Sequence, residues 1–312
     1  MSRFAKNSLS GPLHDVAANA GHAEPGTPEA KPRMGFFTDT SICIGCKACE
    51  VACKEWNRIP DSPTGFSGKS YDNTLDLGAD TWRHVAFIEQ RVPVDADGGA
   101  SLVEAAERGG LVEGSGVATY QEGDGIRWLM SSDVCKHCTE AACLEVCPTG
   151  ALFRTEFDTV VVQEDVCNGC GYCIPACPFG VLDQREGDGR VWQCTLCYDR
   201  LKDDNEPACA QACPTDSIQF GELGELRERA ESRLLQLQDA GQSDAQLYLA
   251  DADDGVGGAG AFFLLLDEPE VYGLPPDPVD TRRDLGSIWA AAGAAAVALG
   301  AGLAAAVFGG RR

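Results

Sequence analysis

Apolar residues along this chain come in short runs, and four of those runs lead into the same polar step. "GFFTDTSICIGC", "IRWLMSSDVCKHC", "VVVQEDVCNGC" and, more compactly, "GRVWQCTLC" each read as a β-prone run, a polar step and a C-x-x-C pair. A second pattern lies downstream. "CLEVCPTGAL", "CIPACPFGVL" and "CAQACPTDSI" each close on an apolar residue five positions past the last cysteine, at Leu152, Leu182 and Ile218. Self-similarity of this kind marks one small supersecondary unit used several times.

Other stretches predict ordinary packing. "GELGELRERAESRLLQLQDAG" sets Leu223, Leu226, Ala230, Leu234 and Leu237 at helical spacing with a glycine after them, which predicts an amphipathic helix. "AQLYLAD" and "AFFLLLDE" are strand-like and joined by "ADDGVGGAG", a loose hairpin. Residues 1–33 are polar, with Pro12, Pro25, Pro28 and Pro32, and predict a flexible arm. From Ile288 to Phe308 run 21 residues without a charge or a strongly polar side chain. At about 1.5 Å per residue they reach roughly 30 Å, the thickness of a bilayer core. Eleven of the 21 are alanine and three are glycine, so a buried soluble helix is the alternative. Ala294, Ala298, Gly302 and Ala306 form a small-xxx-small row suited to close packing on another membrane helix. Arg282 and Arg283 flank one end and Arg311 and Arg312 the other, so flanking charge gives no orientation.

Composition sharpens the first pattern. The 312 residues allow one large domain or two small ones, and the 16 cysteines fall into four groups of four. A disulfide framework belongs to short secreted chains, and "MSRFAKNSLSGPLHDVAANA" has neither a continuous apolar stretch nor a twin-arginine pair. Metal or cluster ligation is therefore the leading reading of the thiols. A net charge of −23 argues against a nucleic-acid partner. It fits either a solvated surface or an acidic face for a basic partner.

Spacing narrows the chemistry. A structural zinc site joins two C-x-x-C knuckles across a loop. Cys167-x2-Cys170-x2-Cys173-x3-Cys177-Pro178 is instead the bacterial ferredoxin run, in which three cysteines hold one iron–sulfur cube and the fourth serves a second. The second group widens a gap between Cys138 and Cys143, and the fourth between Cys197 and Cys209; both keep the C-x3-C-P ending. The first group ends on Lys54 where the others have proline, which leaves the turn after Cys53 open. With 16 cysteines at four per cube, four [4Fe–4S] cubes use every thiol and leave none for a substrate-activating iron. No Ser–His–Asp set, P-loop or HExxH motif is present, so the chain reads as a conduit for electrons and not as a catalyst. His137, inside "CKHC", is either a donor to a cluster sulfur or an ordinary loop residue. Lys47, Lys54 and Lys136 either offset the negative cubes or are surface lysines.

"CIGCKACEVACKEWN", "CGYCIPACPFGV", "VWQCTLCYDR" and "EPACAQACPT" resemble the four-cluster iron–sulfur subunits of molybdopterin and tungstopterin oxidoreductases. "YDNTLDLGADTW", "GVGGAG" and "PEVYGLPPDP", leading into one apolar helix, are most similar to the beta subunit of respiratory formate dehydrogenases. The resemblance spans roughly residues 34–308. It implies a nested ligand scheme. Cys43, Cys46 and Cys49 would share cube one with Cys213, and Cys53 would join Cys194, Cys197 and Cys209 in cube two. Cys135, Cys138 and Cys143 would pair with Cys177 in cube three, and Cys147 with Cys167, Cys170 and Cys173 in cube four.

The resemblance further implies an α+β chain of two ferredoxin-like bicluster modules with an inserted segment, followed by one C-terminal transmembrane helix. The divisions expected are a flexible arm at 1–33, the first cluster motif at 34–66 and an inserted segment at 67–130. A cluster core at 131–220, a helix-plus-hairpin extension at 221–285 and the membrane helix at 286–310 follow. Implied partners are a large molybdopterin or tungstopterin catalytic subunit, a membrane quinone-reacting subunit, and the lipid bilayer of the cell membrane. A membrane hydrogenase or another molybdopterin reductase would use an equivalent subunit, and a zinc-binding scaffold is the alternative from a different class.

Overall fold

The computed structural model describes residues 31–61, 67–69, 71–93, 124–280 and 283–309. Most of the expected N-terminal arm and the middle of the expected insertion lie outside them. Strand β1 (Met34–Asp39) carries the first apolar run, and β8 (Ile218–Glu222), β9 (Gln246–Tyr248) and β10 (Ala261–Leu265) join it in one sheet of order β8-β1-β10-β9. β1 lies parallel to β10, with Phe36 opposite Ala261, and antiparallel to β8, with Phe36 opposite Phe220. The position explains the composition. A strand with neighbours on both edges and elements on both faces needs no polar side, so "GFFTD" and "AFFLL" run apolar or buried without alternation. β9 and β10 make the hairpin that the glycine-rich linker predicts, with Tyr248 opposite Phe263. Helix α6 (Leu223–Asp239) covers the sheet with Leu223, Leu226 and Ala230, one stripe of its 3.6-residue period.

A long hairpin, β2 (Arg83–Pro93) and β3 (Asp124–Val134), pairs from Arg83 opposite Val134 out to Pro93 opposite Asp124. The expected division at 130/131 falls inside β3, whose last residue precedes Cys135. Two small hairpins fill the rest: β4 (Leu152–Arg154) with β5 (Val160–Val162), and β6 (Asp183–Gln184) with β7 (Val191–Trp192). Each of the four apolar runs ahead of a C-x-x-C is thus a strand, β1, β3, β5 or β7. Leu152, Leu182 and Ile218, the residues five past the last cysteines, are all buried. They anchor the chain in the core as it leaves each unit.

The chain ends in α7 (Leu285–Gly309), a helix whose apolar side chains, Val297, Leu299 and Leu303 among them, are exposed. Its Leu285–Val307 stretch has a mean hydropathy of 1.9 and is long and apolar enough to cross a membrane.

Candidate functional site

Backbone geometry makes the four C-x-x-C loops alike. The residue just before the second cysteine has positive φ in every one: Gly45 (64°), His137 (46°), Gly169 (70°) and Leu196 (55°). A left-handed residue there curls the loop so that successive thiols converge on one centre and the amides turn inward. Glycine does this without strain. For histidine and leucine the same turn costs roughly 1–2 kcal/mol. The Cβ that alanine would add at Gly169 would lie 2.1 Å from the Gly189 carbonyl oxygen.

The C-x3-C pairs are equally regular. Each begins in a helical turn: α1 (Ala48–Asn57), α2 (Ala142–Glu145), α3 (Cys173–Ala176) and α5 (Ala208–Gln211). Residues i and i+4 lie on one helical face about one turn apart, and in α1 this sets Cys49 and Cys53 on the same face. In α2, α3 and α5 the helix stops before the second cysteine and its proline. Lys54 in place of proline lets α1 continue to Asn57. That extra turn reaches other thiols. The Asn57 amide donates to the Cys53 carbonyl at 2.9 Å and approaches the sulfurs of Cys53 and Cys197 at 3.7 and 3.8 Å. Trp56 donates to Asp199 of α4 (Tyr198–Lys202) at 2.9 Å and stacks under Arg200.

Cys43, Cys46, Cys49 and Cys213 line one cavity, with Gly45, Ser132 and Ser217. Cys53 interacts electrostatically with Cys194, Cys209 and Cys197. Cys138 and Cys143 interact with Cys177, and Cys135 with Cys143 and Cys177. Cys173 interacts with Cys147, Cys167 and Cys170. Other neighbours link these groups: Cys49 feels Cys209, Cys135 feels Cys194 more strongly than any other thiol, and Cys143 feels Cys173. All 16 thiols are free of disulfides, and only Cys46 and Cys170 are exposed.

Burial dominates the acidity of the interior thiols. It pushes Cys49 up to about 11 and Cys138, Cys173 and Cys194 to about 12, with neighbouring thiols adding to the rise. Cys147 moves down, because amide and hydroxyl donors at Leu152 and Thr149 together outweigh its desolvation. Thiols gathered this densely ionise together only against compensating positive charge, which a metal centre supplies. Among the described residues no three Cys, His, Asp or Glu side chains converge as ligands of a single ion. A lone zinc would draw its sulfurs to about 2.3 Å from one point. Cys43, Cys46, Cys49 and Cys213, spread around a cavity and not a point, fit an iron–sulfur cube.

His137 is a loop residue and is buried. Its Nδ1 accepts from the Val160 amide at 3.1 Å, so the ring hydrogen is on Nε2, which has no partner. Burial, with Arg33 and Arg154 nearby, pushes its pKa down to about 3, and the ring is neutral. Lys136 is buried too, held by Asp133 and by the Val134 carbonyl at 2.9 Å. Lys47 pairs with Glu50 at 3.3 Å, and Lys54 donates to the Pro60 carbonyl at 3.3 Å.

Sequence reading misses Arg83, Ser132 and Asn57. The Ser132 hydroxyl lies 3.2 Å from the Cys49 sulfur and accepts from Arg83 at 3.0 Å. Burial alone would lower the Arg83 pKa, but the thiols of Cys209, Cys49, Cys194 and Cys53 together raise it. Only the "EWN" after the first cysteine group, which predicts a continuing helix, hints at any of the three in sequence.

Models of the 4Fe-4S dicluster domain match residues 42–151 and 126–223. The formate dehydrogenase iron-sulfur subunit of Haemophilus influenzae (strain ATCC 51907 / DSM 11121 / KW20 / Rd) is 38% identical over 258 residues, 81% of this chain and 72% of that protein. The nitrate-inducible formate dehydrogenase iron-sulfur subunit of Escherichia coli (strain K12) is 38% identical over 280 residues, 88% of this chain and 84% of its own length. The B subunit of the anaerobic dimethyl sulfoxide reductase of the same organism is 32% identical over 197 residues, 63% of this chain and 77% of that one.

Proposed function

The chain belongs to the iron–sulfur subunits of formate dehydrogenases, and on that premise we propose how its residues conduct electrons. It is a non-catalytic electron-transfer subunit of a molybdopterin oxidoreductase and carries four [4Fe–4S] clusters. Each cluster, when bound, accepts and passes on a single electron. In this reading Cys43, Cys46, Cys49 and Cys213 hold cube one, and Cys53, Cys194, Cys197 and Cys209 hold cube two. Cys135, Cys138, Cys143 and Cys177 hold cube three, and Cys147, Cys167, Cys170 and Cys173 hold cube four. Cubes one and two form one ferredoxin-like module, three and four the other. The β2–β3 hairpin is the insertion between the first two cysteine groups.

One observation carries the reading: the thiol sets neighbour each other in the order one, two, three, four, through Cys49–Cys209, Cys135–Cys194 and Cys143–Cys173. The two exposed thiols, Cys46 and Cys170, belong to the first and last sets. A line of centres that is buried in the middle and open at its ends is what a relay between two partners requires. Those partners are a pterin-bearing catalytic subunit, which takes two electrons from formate and releases carbon dioxide and a proton, and a membrane subunit that delivers them to quinone. Helix α7 anchors this chain in the bilayer beside the second. The likeness to the dimethyl sulfoxide reductase subunit favours, as the second reading, another molybdopterin reductase. The formate dehydrogenase relatives match more of the chain at higher identity and stand first.

Purification of the native complex without oxygen tests both levels. About sixteen irons per chain, with matching labile sulfide, are expected from four cubes. Formate should reduce them only while the large pterin-bearing subunit is present. Zinc in place of iron overturns the ligand assignment, and a complex that formate leaves oxidised overturns the partner.

A further inference from the structure

Arg83 opens β2 and is 2% exposed. A guanidinium taken out of water costs several kcal/mol unless charge and hydrogen bonds compensate it. Among the described residues no carboxylate forms an ion pair with it. Its Nη1 donates to the carbonyl and hydroxyl of Ser132 at 3.2 and 3.0 Å. Its guanidinium lies over the Phe36 ring, 4.9 Å from the centroid. Nε and Nη2 are buried with no acceptor. A core arginine that merely filled space would leave these donors and the full charge uncompensated, a loss that packing against one aromatic ring does not offset. Something held at this place must supply both acceptors and negative charge. The groups with which Arg83 interacts most strongly are the thiols of Cys49, from the first set, and Cys53, Cys194 and Cys209, from the second.

We propose that Arg83 is a positioning residue for electron transfer, standing beside cubes one and two, donating Nε and Nη2 hydrogens to their sulfurs and favouring their reduced forms. The inference rests on the ligand assignment above. Four thiolates already make a cube negative, and reduction adds one more charge, so a fixed cation buried nearby stabilises the reduced form more than the oxidised one. Ser132 extends the contact, since it accepts from Arg83 and touches the Cys49 sulfur. The cation gives the first half of the relay a potential that its ligands alone would not set.

The test is a redox titration of the anaerobically purified complex, followed by electron paramagnetic resonance, after iron and sulfide have been counted. Arg83→Met keeps the bulk and removes the charge and donors; Arg83→Lys keeps the charge. At a fixed applied potential, Arg83→Met should lower the reduced-to-oxidised ratio of two of the four cubes at least tenfold, about 59 mV for a one-electron couple. The other two should hold, and Arg83→Lys should restore at least half of the shift. Parental potentials in an Arg83→Met complex with full iron, or an equal shift of all four cubes, would overturn the proposal. If Arg83→Met fails to load, Arg83→Gln and Arg83→Lys decide it: lower ratios with Gln and not with Lys support the role of charge, and equal ratios refute it. A parent complex without cubes would count against the ligand assignment and not against Arg83.

Discussion

Cys49 and Cys53 sit one turn apart on α1, and although both feel Cys209 their sulfurs otherwise keep different company. Cys49 lines a cavity with Cys43, Cys46 and Cys213, whereas Cys53 interacts with Cys194, Cys197 and Cys209. The i,i+4 relation makes this possible, because it offsets the two thiols along the helix while keeping them on one face. Cys53→Ser should therefore remove or convert cube two and leave cube one intact. Iron per chain should fall from about sixteen towards twelve, and the resonance lost should be that of a cube still present in Cys43→Ser. Loss of the same cube in both variants would contradict the crossover. Glycines supply a second contrast at this scale. Gly150 and Gly169 share nearly the same φ, 67° and 70°. A Cβ on Gly150 meets nothing within 4 Å, while one on Gly169 meets the Gly189 carbonyl oxygen at 2.1 Å. Alanine at either costs about 1–2 kcal/mol for the left-handed backbone. At Gly169 the clash adds to this and must move the loop of Cys167, Cys170 and Cys173. Gly169→Ala should lose cube four, as measured by iron content, and Gly150→Ala should keep it with a modestly lower melting temperature.

Among the elements, the short helices set the spacing between centres and the strands before each C-x-x-C fix where the loops start. The strands were legible in sequence, because a β-prone run, a polar step and a C-x-x-C repeated four times leave few other readings; the short helices were not, since one turn between two cysteines carries no helical period. α6 and the β9–β10 hairpin were legible from their periods. The placement of the last 90 or so residues was not. β8 and β10 flank β1 in the sheet, so the C-terminal part of the chain holds the strand that leads into the first cysteine group. Pairing between strands far apart in sequence leaves no local pattern, and buried apolar strands all look alike. Arg83 was hidden for a related reason: only the sheet reveals that the first residue of a β-prone run, opposite Val134, faces thiols from two distant groups. The Lys54 departure has become a feature with a purpose, an added turn that carries Asn57 to the sulfurs of Cys53 and Cys197. Lys54→Pro would restore the usual ending but place proline in a helix interior, at a cost of about 3 kcal/mol or more. It should lower the melting temperature and make cube two the first lost on exposure to a chelator. Retention of all four cubes at the parental rate would show that the turn serves no purpose there.

At the scale of the whole molecule, a net charge of −23 surrounds an interior in which Arg83 and Lys136 are buried cations beside the thiols. Those two cations stand against electron-rich centres, although Asp39, Asp72 and Asp280 are buried as well. Helix α7 is different in kind. It carries no charge from Leu285 to Gly309, and its 25 residues reach about 37 Å at 1.5 Å each, more than a hydrocarbon core of about 30 Å. Exposed Ile288, Trp289, Val297, Leu299, Leu303 and Val307 form an apolar cylinder that no other described residue covers. An apolar surface of this length invites association in water unless lipid or another helix covers it. The globular part does not depend on it, since the sheet, the hairpins and all four thiol sets lie before residue 281. Deletion of residues 286–312 should therefore leave a chain that loads about sixteen irons, melts within a few degrees of the parent and stays in the supernatant after membranes are sedimented without detergent. The full chain should sediment with the membranes or require detergent. Membrane association of the truncated chain with no other subunit present would locate the anchor elsewhere, and loss of iron on truncation would make α7 part of the fold instead of an appendage to it.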